Sequence, residues 1–286
     1  MGTTILVAIL FTGVIALLLG IIIGVVSKLF SVPSDPRVEL VLGLLPGANC
    51  GGCGKAGCAD FAKAVVAGEC PPNKCPVSSS EQVSSIARAL GIEAGSEFRQ
   101  KAVVLCGGDV NQMKMLTLYN GVSDCVSASM IGGGPKSCAY GCLGMGSCAR
   151  SCPFGAIEMI NNLAVVHAEL CVGCGACVKT CPRNLIKLVP ADSEVHIYCS
   201  SPVKAPLKRQ VCNVPCIGCR KCMKSGEEGQ FEVDGFKIKV AYDHQPLPGA
   251  EVVDAASCPT GCLLTEKQHL AIERAEKPAF EEEVAS

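Results

Sequence analysis

Cysteine is the residue that most limits what this chain can fold into, because the sequence contains 22 cysteines in 286 residues. Eight of them lie between positions 138 and 181, in two blocks of four, and each block ends in a Cys-Pro pair. The chain has no tryptophan and only 4% aromatic residues, so few large side chains are available to build a core. Bound metal must therefore supply much of the folding free energy, since metal sites and the fold form together.

The second block, which ends at Cys181-Pro182, has the spacing C-x2-C-x2-C-x3-C-P. This spacing is typical of small bacterial proteins that bind two 4Fe-4S clusters, in which the fourth cysteine of each block ligates the other cluster. The first block is wider and has Met145 where a cysteine would stand, so we expect Cys138 to supply the missing ligand. The predicted ligand sets are Cys138, Cys142, Cys148 and Cys181 for one cluster, and Cys152, Cys171, Cys174 and Cys177 for the other.

Zinc and disulfides are the alternative interpretations of these cysteines. Zinc ribbons use two separated C-x2-C pairs and do not need triplets that end in Cys-Pro. Disulfides need an oxidising compartment, and the membrane topology expected for this chain argues against one. A dinucleotide-binding pattern at Gly144-x-Gly146-x-x-Ala149 contains a cysteine of the block and follows no strand pattern, so we interpret it as a cluster loop.

The chain begins with an uncharged apolar run from Ile5 to Val26, which is long enough to span about 30 Å of hydrocarbon. A cleaved signal peptide is the alternative, but residues 1–4 contain no Lys or Arg and the run is too long for such a peptide. The first cation is Lys28, so the positive-inside rule places the globular part in the cytoplasm. We therefore predict a single-pass anchor in the cell (inner) membrane, with a short linker from Ser31 to Arg37.

A separate group of cysteines follows the linker, with the spacing C-x2-C-x4-C-x16-C and four glycines between its members. An amphipathic helix is predicted from about Ala59 to Ala67. We interpret the segment as a module that holds one 4Fe-4S cluster. The predicted ligands are Cys50, Cys53, Cys58 and Cys75.

An N-terminal anchor, the PGANCGGCGKAGC module and a two-cluster ferredoxin domain, in this order, resemble the B subunits of the Rnf complexes. These complexes are membrane-bound, ion-translocating ferredoxin:NAD oxidoreductases, and the resemblance covers residues 1 to about 190. It implies that the chain relays electrons from reduced soluble ferredoxin, that NAD and flavins are bound by other subunits, and that electron flow is coupled to Na+ or H+ translocation. No nucleic-acid partner is expected.

Two other functions are alternatives to this interpretation. One is a membrane-anchored polyferredoxin that serves a soluble oxidoreductase without ion coupling. The other is an iron-sulfur enzyme with its own substrate, which would need an open iron site beside acid or base groups. We find no such constellation in the sequence.

The sequence after residue 190 repeats the part before it. SEVHIYCSS matches SEFRQKAVVLCGG, which pairs Cys199 with Cys106, and CNVPCIGCRKCMKSG matches CAYGCLGMGSCARSC, which pairs Cys212 with Cys138. FEVDGFKIKV predicts a hairpin with its turn at Asp234-Gly235. Only one complete cysteine triplet is left in this unit, so we predict one cubane. Its predicted ligands are Cys216, Cys219, Cys222 and Cys258.

Four clusters are therefore expected, with a fifth possible. The cysteines outside the predicted ligand sets are Cys70, Cys106, Cys125, Cys199, Cys212 and Cys262. Cys262 is predicted to be a small buried apolar residue. The pairing of Cys106 with Cys199 in the repeat leaves a further site open.

Six cations near the third ferredoxin-like block would suit docking of an acidic ferredoxin, although a solvated basic surface is the alternative. They are Lys204, Lys208, Arg209, Arg220, Lys221 and Lys224. The connecting segment before the ferredoxin domain contains a predicted strand at KAVVLC and a predicted helix from about Asn111 to Tyr119.

The predicted fold class is one transmembrane helix followed by small α+β iron-sulfur modules. The predicted order is a transmembrane anchor (1–30), a single-cluster 4Fe-4S module (31–93), a connecting segment (94–134), a two-cluster ferredoxin domain (135–190), a degenerate ferredoxin-like unit with one cluster (191–265) and a charged tail (266–286).

Overall fold

The computed structural model describes residues 2–29, 35–95 and 99–274. Most of the predicted linker, residues 31–34, and the acidic part of the tail at Glu281–Glu283 lie outside the described residues.

The apolar run at the start of the chain lies in one helix, α1 (Gly2–Leu29). Its large apolar side chains are exposed from Leu10 to Val26. In α1 the structure describes the side chains of Ile5 and of residues 10–26. Within the residues whose side chains it describes, no helix has the length and apolar character needed to span a membrane. The prediction of a helix in this segment is confirmed, and that of an anchor stays a prediction.

Three helices and one turn of 3-10 helix form the N-terminal module. They are α2 (Pro36–Leu44), α3 (Cys58–Val66), the 3-10 turn Pro72–Lys74 and α4 (Ser80–Leu90). Helix α4 begins with a capping box between Ser79 and Gln82 and ends at Gly91, whose φ of 66° is the left-handed conformation that suits glycine at a helix end. Val41, Phe61 and other apolar residues of these helices form one core, which includes several of the module's cysteines.

Two units with the same strand arrangement follow. The first consists of β1 (Gln100–Val104), α5 (Cys125–Met130), α6 (Ser147–Arg150), β2 (Ile157–Ile160), β3 (Leu163–Val166), α7 (Ala176–Thr180) and β4 (Ile186–Pro190). The second consists of β5 (Val195–Ile197), α8 (Ala205–Val211), α9 (Lys221–Ser225), β6 (Phe231–Asp234), β7 (Lys237–Val240), α10 (Ala250–Ala256) and β8 (Leu263–Thr265), with α11 (Glu266–Arg274) after it. In each unit the first strand pairs with the last and the middle two form a hairpin, all antiparallel. The predicted internal repeat is therefore confirmed at the level of the fold.

Both hairpins have two-residue loops. Asn161 and Asn162 form the first loop with φ values of 48° and 56°, which asparagine adopts more readily than most residues. The second loop consists of Gly235 and Phe236, because Asp234 already pairs with Lys237. The hairpin predicted from FEVDGFKIKV is confirmed, with its turn one residue later than expected.

The connecting segment departs from the prediction in one place. The strand predicted at KAVVLC is confirmed as β1, but the helix predicted from about Asn111 to Tyr119 is wrong. Instead, Met113 forms an antiparallel bridge with Cys212, and Met115 forms another with Lys136. Pairing with distant residues, one of them in the second unit, thus takes the place of a local helix.

Candidate iron-sulfur cluster sites

The cysteines of the N-terminal module surround the start of α3. Cys53 and Cys75 are buried in the module's core, and Cys58 packs against the same core. The side-chain oxygen of Asn49 accepts a hydrogen bond from the backbone N–H of Cys58 at 2.8 Å, which fixes the loop to the helix start. Cys50 is half-buried and lies toward the next domain, where its thiol is among the groups that influence Cys174.

Four cysteines of the ferredoxin domain are brought together as the crossed arrangement predicts. Burial, and after it the neighbouring thiols of Cys171, Cys174 and Cys152, raise the pKa of the Cys177 thiol to about 12. The backbone N–H of Ala102, in β1, donates a hydrogen bond to the sulfur of Cys171 at 3.3 Å. Cys152 therefore lies with the triplet of the other block, as the prediction for this cluster requires.

The second site of the domain is a cavity with one unexpected member. Cys142, Cys148 and Cys181 line a cavity of about 400 Å³ including its mouth, and the fourth thiol in its wall is Cys125. Burial is the main cause that raises the pKa of Cys148 to about 12, and the neighbouring thiols of Cys142, Cys125 and Cys181 contribute to the rise. The structure does not place Cys138 in the lining of this cavity, contrary to the set expected from the sequence.

Cys125 is held in this position by the cap of α5. Its backbone N–H donates to the hydroxyl of Ser147 at 2.8 Å, and that hydroxyl donates to Asp124 at 2.8 Å. Asp124 also accepts the N–H of Ser127 and caps the helix. Cysteine spacing could not indicate this residue, because 16 residues separate it from Cys142. It reaches the cavity because α5 places it there.

The C-terminal unit has a cavity of about 340 Å³ including its mouth. Its wall contains all four predicted ligands, Cys216, Cys219, Cys222 and Cys258, and also Cys262. The prediction that Cys262 is buried is confirmed, but its thiol lies 3.8 Å from that of Cys258. Hydrogen bonding from Cys262 lowers the pKa of Cys258 to about 4 and that of Cys216 to about 6. The contacts with Cys216 and Cys258, followed by burial, raise the pKa of Cys262 well above its usual value.

These donor sets fit iron-sulfur clusters. All 22 cysteines are free thiols, and backbone N–H groups point at several sulfurs, as that of Ile238 does at Cys216 at 3.4 Å. Such bonds stabilise the negative charge of a thiolate-bound cluster. Within the described residues, no three His, Cys, Asp or Glu side chains are close enough to hold a single metal ion. Cubane ligands bind separate irons at the corners of one cluster and do not need to converge on a point.

The N-terminal module contacts the ferredoxin domain beside a cluster loop. A Cβ added to Gly52 would lie 2.9 Å from the backbone oxygen of Cys174 and 3.0 Å from its Cα. Only glycine permits this approach, which brings the loops of two sites into contact.

The cations around the C-terminal site divide into two groups. Five of the six are exposed, namely Lys204, Arg209, Arg220, Lys221 and Lys224. Lys208 is buried, so the prediction that it belongs to a solvent-facing basic surface is wrong. Its ammonium group instead donates to the backbone oxygens of Cys216 and Phe236, at 2.8 and 3.0 Å.

Comparison with known proteins finds two iron-sulfur domains and relatives that align with most of the chain. A family model for an Fe-S cluster matches residues 45–77, and a model for a 4Fe-4S binding domain matches residues 164–187. The B subunit of the ion-translocating oxidoreductase complex of Methanosarcina acetivorans is 41% identical over 84% of this chain and 90% of its own length. The B subunit of the proton-translocating ferredoxin:NAD(+) oxidoreductase complex of Clostridium ljungdahlii is 37% identical over 92% of this chain and 93% of its own. The Na(+)-translocating counterpart from Acetobacterium woodii is 38% identical over 92% of this chain and 78% of its own.

Proposed function

This chain belongs to the family of B subunits of ion-translocating oxidoreductase complexes, and we propose that it is the iron-sulfur electron-transfer subunit of such a complex. The complex couples electron flow from reduced ferredoxin to NAD+ with the translocation of Na+ or H+. The chain itself relays electrons, and the other subunits supply the remaining chemistry. The observation that supports this role most directly is the contact of Gly52 with Cys174, which joins two cluster loops along one path.

Two of the proposed ligand sets line cavities, and the other two rest on cysteines that lie close together. The 4Fe-4S clusters supply one-electron transfer when they are bound. The chain's own contribution is to hold each cluster and to orient N–H groups toward its sulfurs. The four proposed sets are Cys50, Cys53, Cys58 and Cys75; Cys152, Cys171, Cys174 and Cys177; Cys125, Cys142, Cys148 and Cys181; and Cys216, Cys219, Cys222 and Cys258.

We propose that α1 anchors the chain in the membrane as a single span, with the globular part in the cytoplasm. Its large apolar side chains are exposed from Leu10 to Val26, a length of about five helical turns. An apolar surface of this kind is stable in contact with lipid. The anchor thereby places the clusters beside the membrane subunits.

Reduced ferredoxin is proposed to dock at the C-terminal unit. Cys219 is exposed there, so the edge of the cluster that it holds lies close to solvent. Arg220 and Lys221 follow it directly and are also exposed. Their positive charge would attract an acidic electron donor to that edge.

The docking proposal is tested by charge reversal. The double variant Arg220→Glu/Lys221→Glu should slow reduction of the chain by ferredoxin at least tenfold at low ionic strength and weaken its salt dependence. The control is Lys63→Glu/Arg88→Glu, which makes the same change of net charge on exposed positions of the N-terminal module. Equal rates for the two variants would contradict docking at this unit.

The relay role is tested by removing the anchor. A chain without residues 1–30 should keep its clusters and accept electrons from ferredoxin in solution. In membranes that lack the native chain, it should fail to restore ferredoxin-dependent NAD+ reduction coupled to ion uptake. Full restoration by the truncated chain would overturn the proposed role of α1.

A further inference from the structure

Four cysteines line one cavity between the two ferredoxin-like units. They are Cys106, Cys138, Cys199 and Cys212. The cavity measures about 360 Å³ including its mouth, between the 340 and 400 Å³ of the two cavities already assigned to clusters. None of these cysteines belongs to the four ligand sets of the proposed relay.

The two units contribute two cysteines each, and backbone contacts between the units lie beside three of them, Cys106, Cys199 and Cys212. Beside Cys106 and Cys199, the N–H of Gly107 donates to the oxygen of Tyr198 at 3.0 Å, and the Ser200 hydroxyl donates to Leu105 at 2.8 Å. Cys212 forms a β-bridge with Met113 of the other unit. Asn213, which follows Cys212, donates its backbone N–H to the backbone oxygen of Gln112 at 2.8 Å. Backbone contacts between the two units therefore position Cys106, Cys199 and Cys212.

Two buried lysines lie beside this cavity. Lys136 is 2% exposed and Lys208 is 1% exposed. Lys136 donates to the backbone oxygens of Gly108 and Asn162, at 2.9 and 2.7 Å, and Lys208 donates only to backbone oxygens as well. Within the described part of the chain, neither has a carboxylate within ion-pair distance. Burying a cation without a counter-charge is energetically unfavourable. An anion bound in the cavity would therefore stabilise both lysines.

The thiols themselves respond to these charges. Burial and the neighbouring thiol of Cys142 together raise the pKa of Cys106 to about 12, and the Lys136 ammonium opposes the rise. Burial also raises the pKa of Cys212 to about 11, again opposed by Lys136. Burial likewise raises the pKa of Cys199, and the Lys208 ammonium opposes that rise.

We propose that Cys106, Cys138, Cys199 and Cys212 hold a further 4Fe-4S cluster, which would be the fifth of this chain. The site follows from the geometry, and its role as a link between the two units rests on the proposed relay function. Cys106 accepts a hydrogen bond from the N–H of Cys142, a ligand of the neighbouring site, at 3.3 Å. On the other side, Cys199 lies next to Cys216 of the C-terminal site. A cluster here would close the gap between these two sites.

The first test uses the unaltered chain. Anaerobic reconstitution followed by iron and sulfide analysis and Mössbauer spectroscopy should give five cubanes, with about four irons in each. A count of four cubanes would overturn the proposal, and so would a fifth metal site that contains zinc or a two-iron cluster.

The second test uses a matched pair of variants. Cys199→Ala/Cys212→Ala should lose one cubane, about four irons per chain, and keep the EPR signals of the other clusters. Val214→Ala, in the wall of the same cavity, should lose none. Full iron retention by the double variant would refute the site. Five cubanes in a chain that ferredoxin cannot reduce would leave the site standing and refute the relay function instead.

Discussion

The backbone N–H of Cys142 donates a hydrogen bond to the sulfur of Cys106 at 3.3 Å, so the walls of two cysteine-lined cavities are joined directly. Close contacts also join the other neighbouring sites. Gly52 of the N-terminal module contacts Cys174 of the ferredoxin domain, and Cys199 lies beside Cys216 of the C-terminal site. The proposed sites therefore follow one another from the N-terminal module, through the ferredoxin domain and the bridging site, to the C-terminal unit. In the proposed relay, this order would give an electron one continuous path through the chain.

Replacing Cys125 should remove one ligand of the ferredoxin domain. We expect Cys125→Ser to lower the iron content or shift the EPR spectrum of the cluster held by Cys142, Cys148 and Cys181. Cys138→Ser should leave that cluster intact and affect the bridging site. Iron analysis and EPR of the two variants check this, and the reverse pattern would restore Cys138 to the set expected from the sequence.

Crossed ligation predicts which cluster responds to a change at Cys152. Cys152→Ser should perturb the cluster of Cys171, Cys174 and Cys177 and spare the cluster on the Cys142 side. The neighbouring substitution Ser151→Ala serves as the control, since its hydroxyl only donates to the backbone oxygen of Cys148. Mössbauer spectra that assign the loss to the Cys142 side would contradict crossed ligation.

The close approach at Gly52 should be sensitive to a single methyl group. In Gly52→Ala, the new Cβ would overlap the backbone of Cys174, so the N-terminal module must shift away from the ferredoxin domain. We expect weaker magnetic coupling between the two nearest clusters in EPR of the reduced protein. Gly43→Ala, where the added Cβ meets no atom within 4 Å, should leave the coupling unchanged. Equal spectra for the two variants would show that the module does not dock through this contact.

The buried charge of Lys208 should tune reduction potentials. Adding an electron makes a cluster more negative, and a nearby cation in a low-dielectric site stabilises the reduced form. Lys208→Met should therefore lower the potentials of the bridging and C-terminal clusters by on the order of tens of millivolts. Lys204→Met, on the exposed side of the same region, should change them much less. An EPR-monitored redox titration measures both, and an unchanged potential in Lys208→Met would argue against a cluster beside it.

An ion pair between β1 and α11 should stabilise the junction of the two units. The Lys101 ammonium lies 2.8 Å from Glu266, whose other oxygen lies 3.0 Å from His196. Glu266→Gln removes the charge that compensates the buried Lys101, and we expect a loss of about 1–3 kcal/mol in the free energy of unfolding. Glu232→Gln breaks a pair with Lys239 in which both side chains are half exposed, and should cost less than about 1 kcal/mol. Anaerobic urea unfolding compares the two, and equal losses would be inconsistent with this assignment.

Local spacing was enough to predict much of the fold and of the sites. Cys171, Cys174 and Cys177 lie within one tight turn, so neighbouring residues alone determine that they face one cluster. The hairpins, the strand β1 and the repeat of the two units were also predictable, because alternating apolar residues and turn residues determine them locally. The family resemblance, based on the order of these motifs, is confirmed by relatives that align over most of the chain.

Ligands that come from distant parts of the chain depended on the tertiary structure. Cys138 begins the first ferredoxin block and Cys125 lies before it, and no spacing rule says which of them completes the cavity. The cap of α5 brings Cys125 into that cavity, and the bridge between Met113 and Cys212 joins the connecting segment to the second unit. Lys208 has the sequence context of a surface cation, yet packing of α8 against the second hairpin buries it. Residues close in sequence are placed by turn geometry, whereas a ligand or counter-charge from elsewhere is placed only when the units pack together.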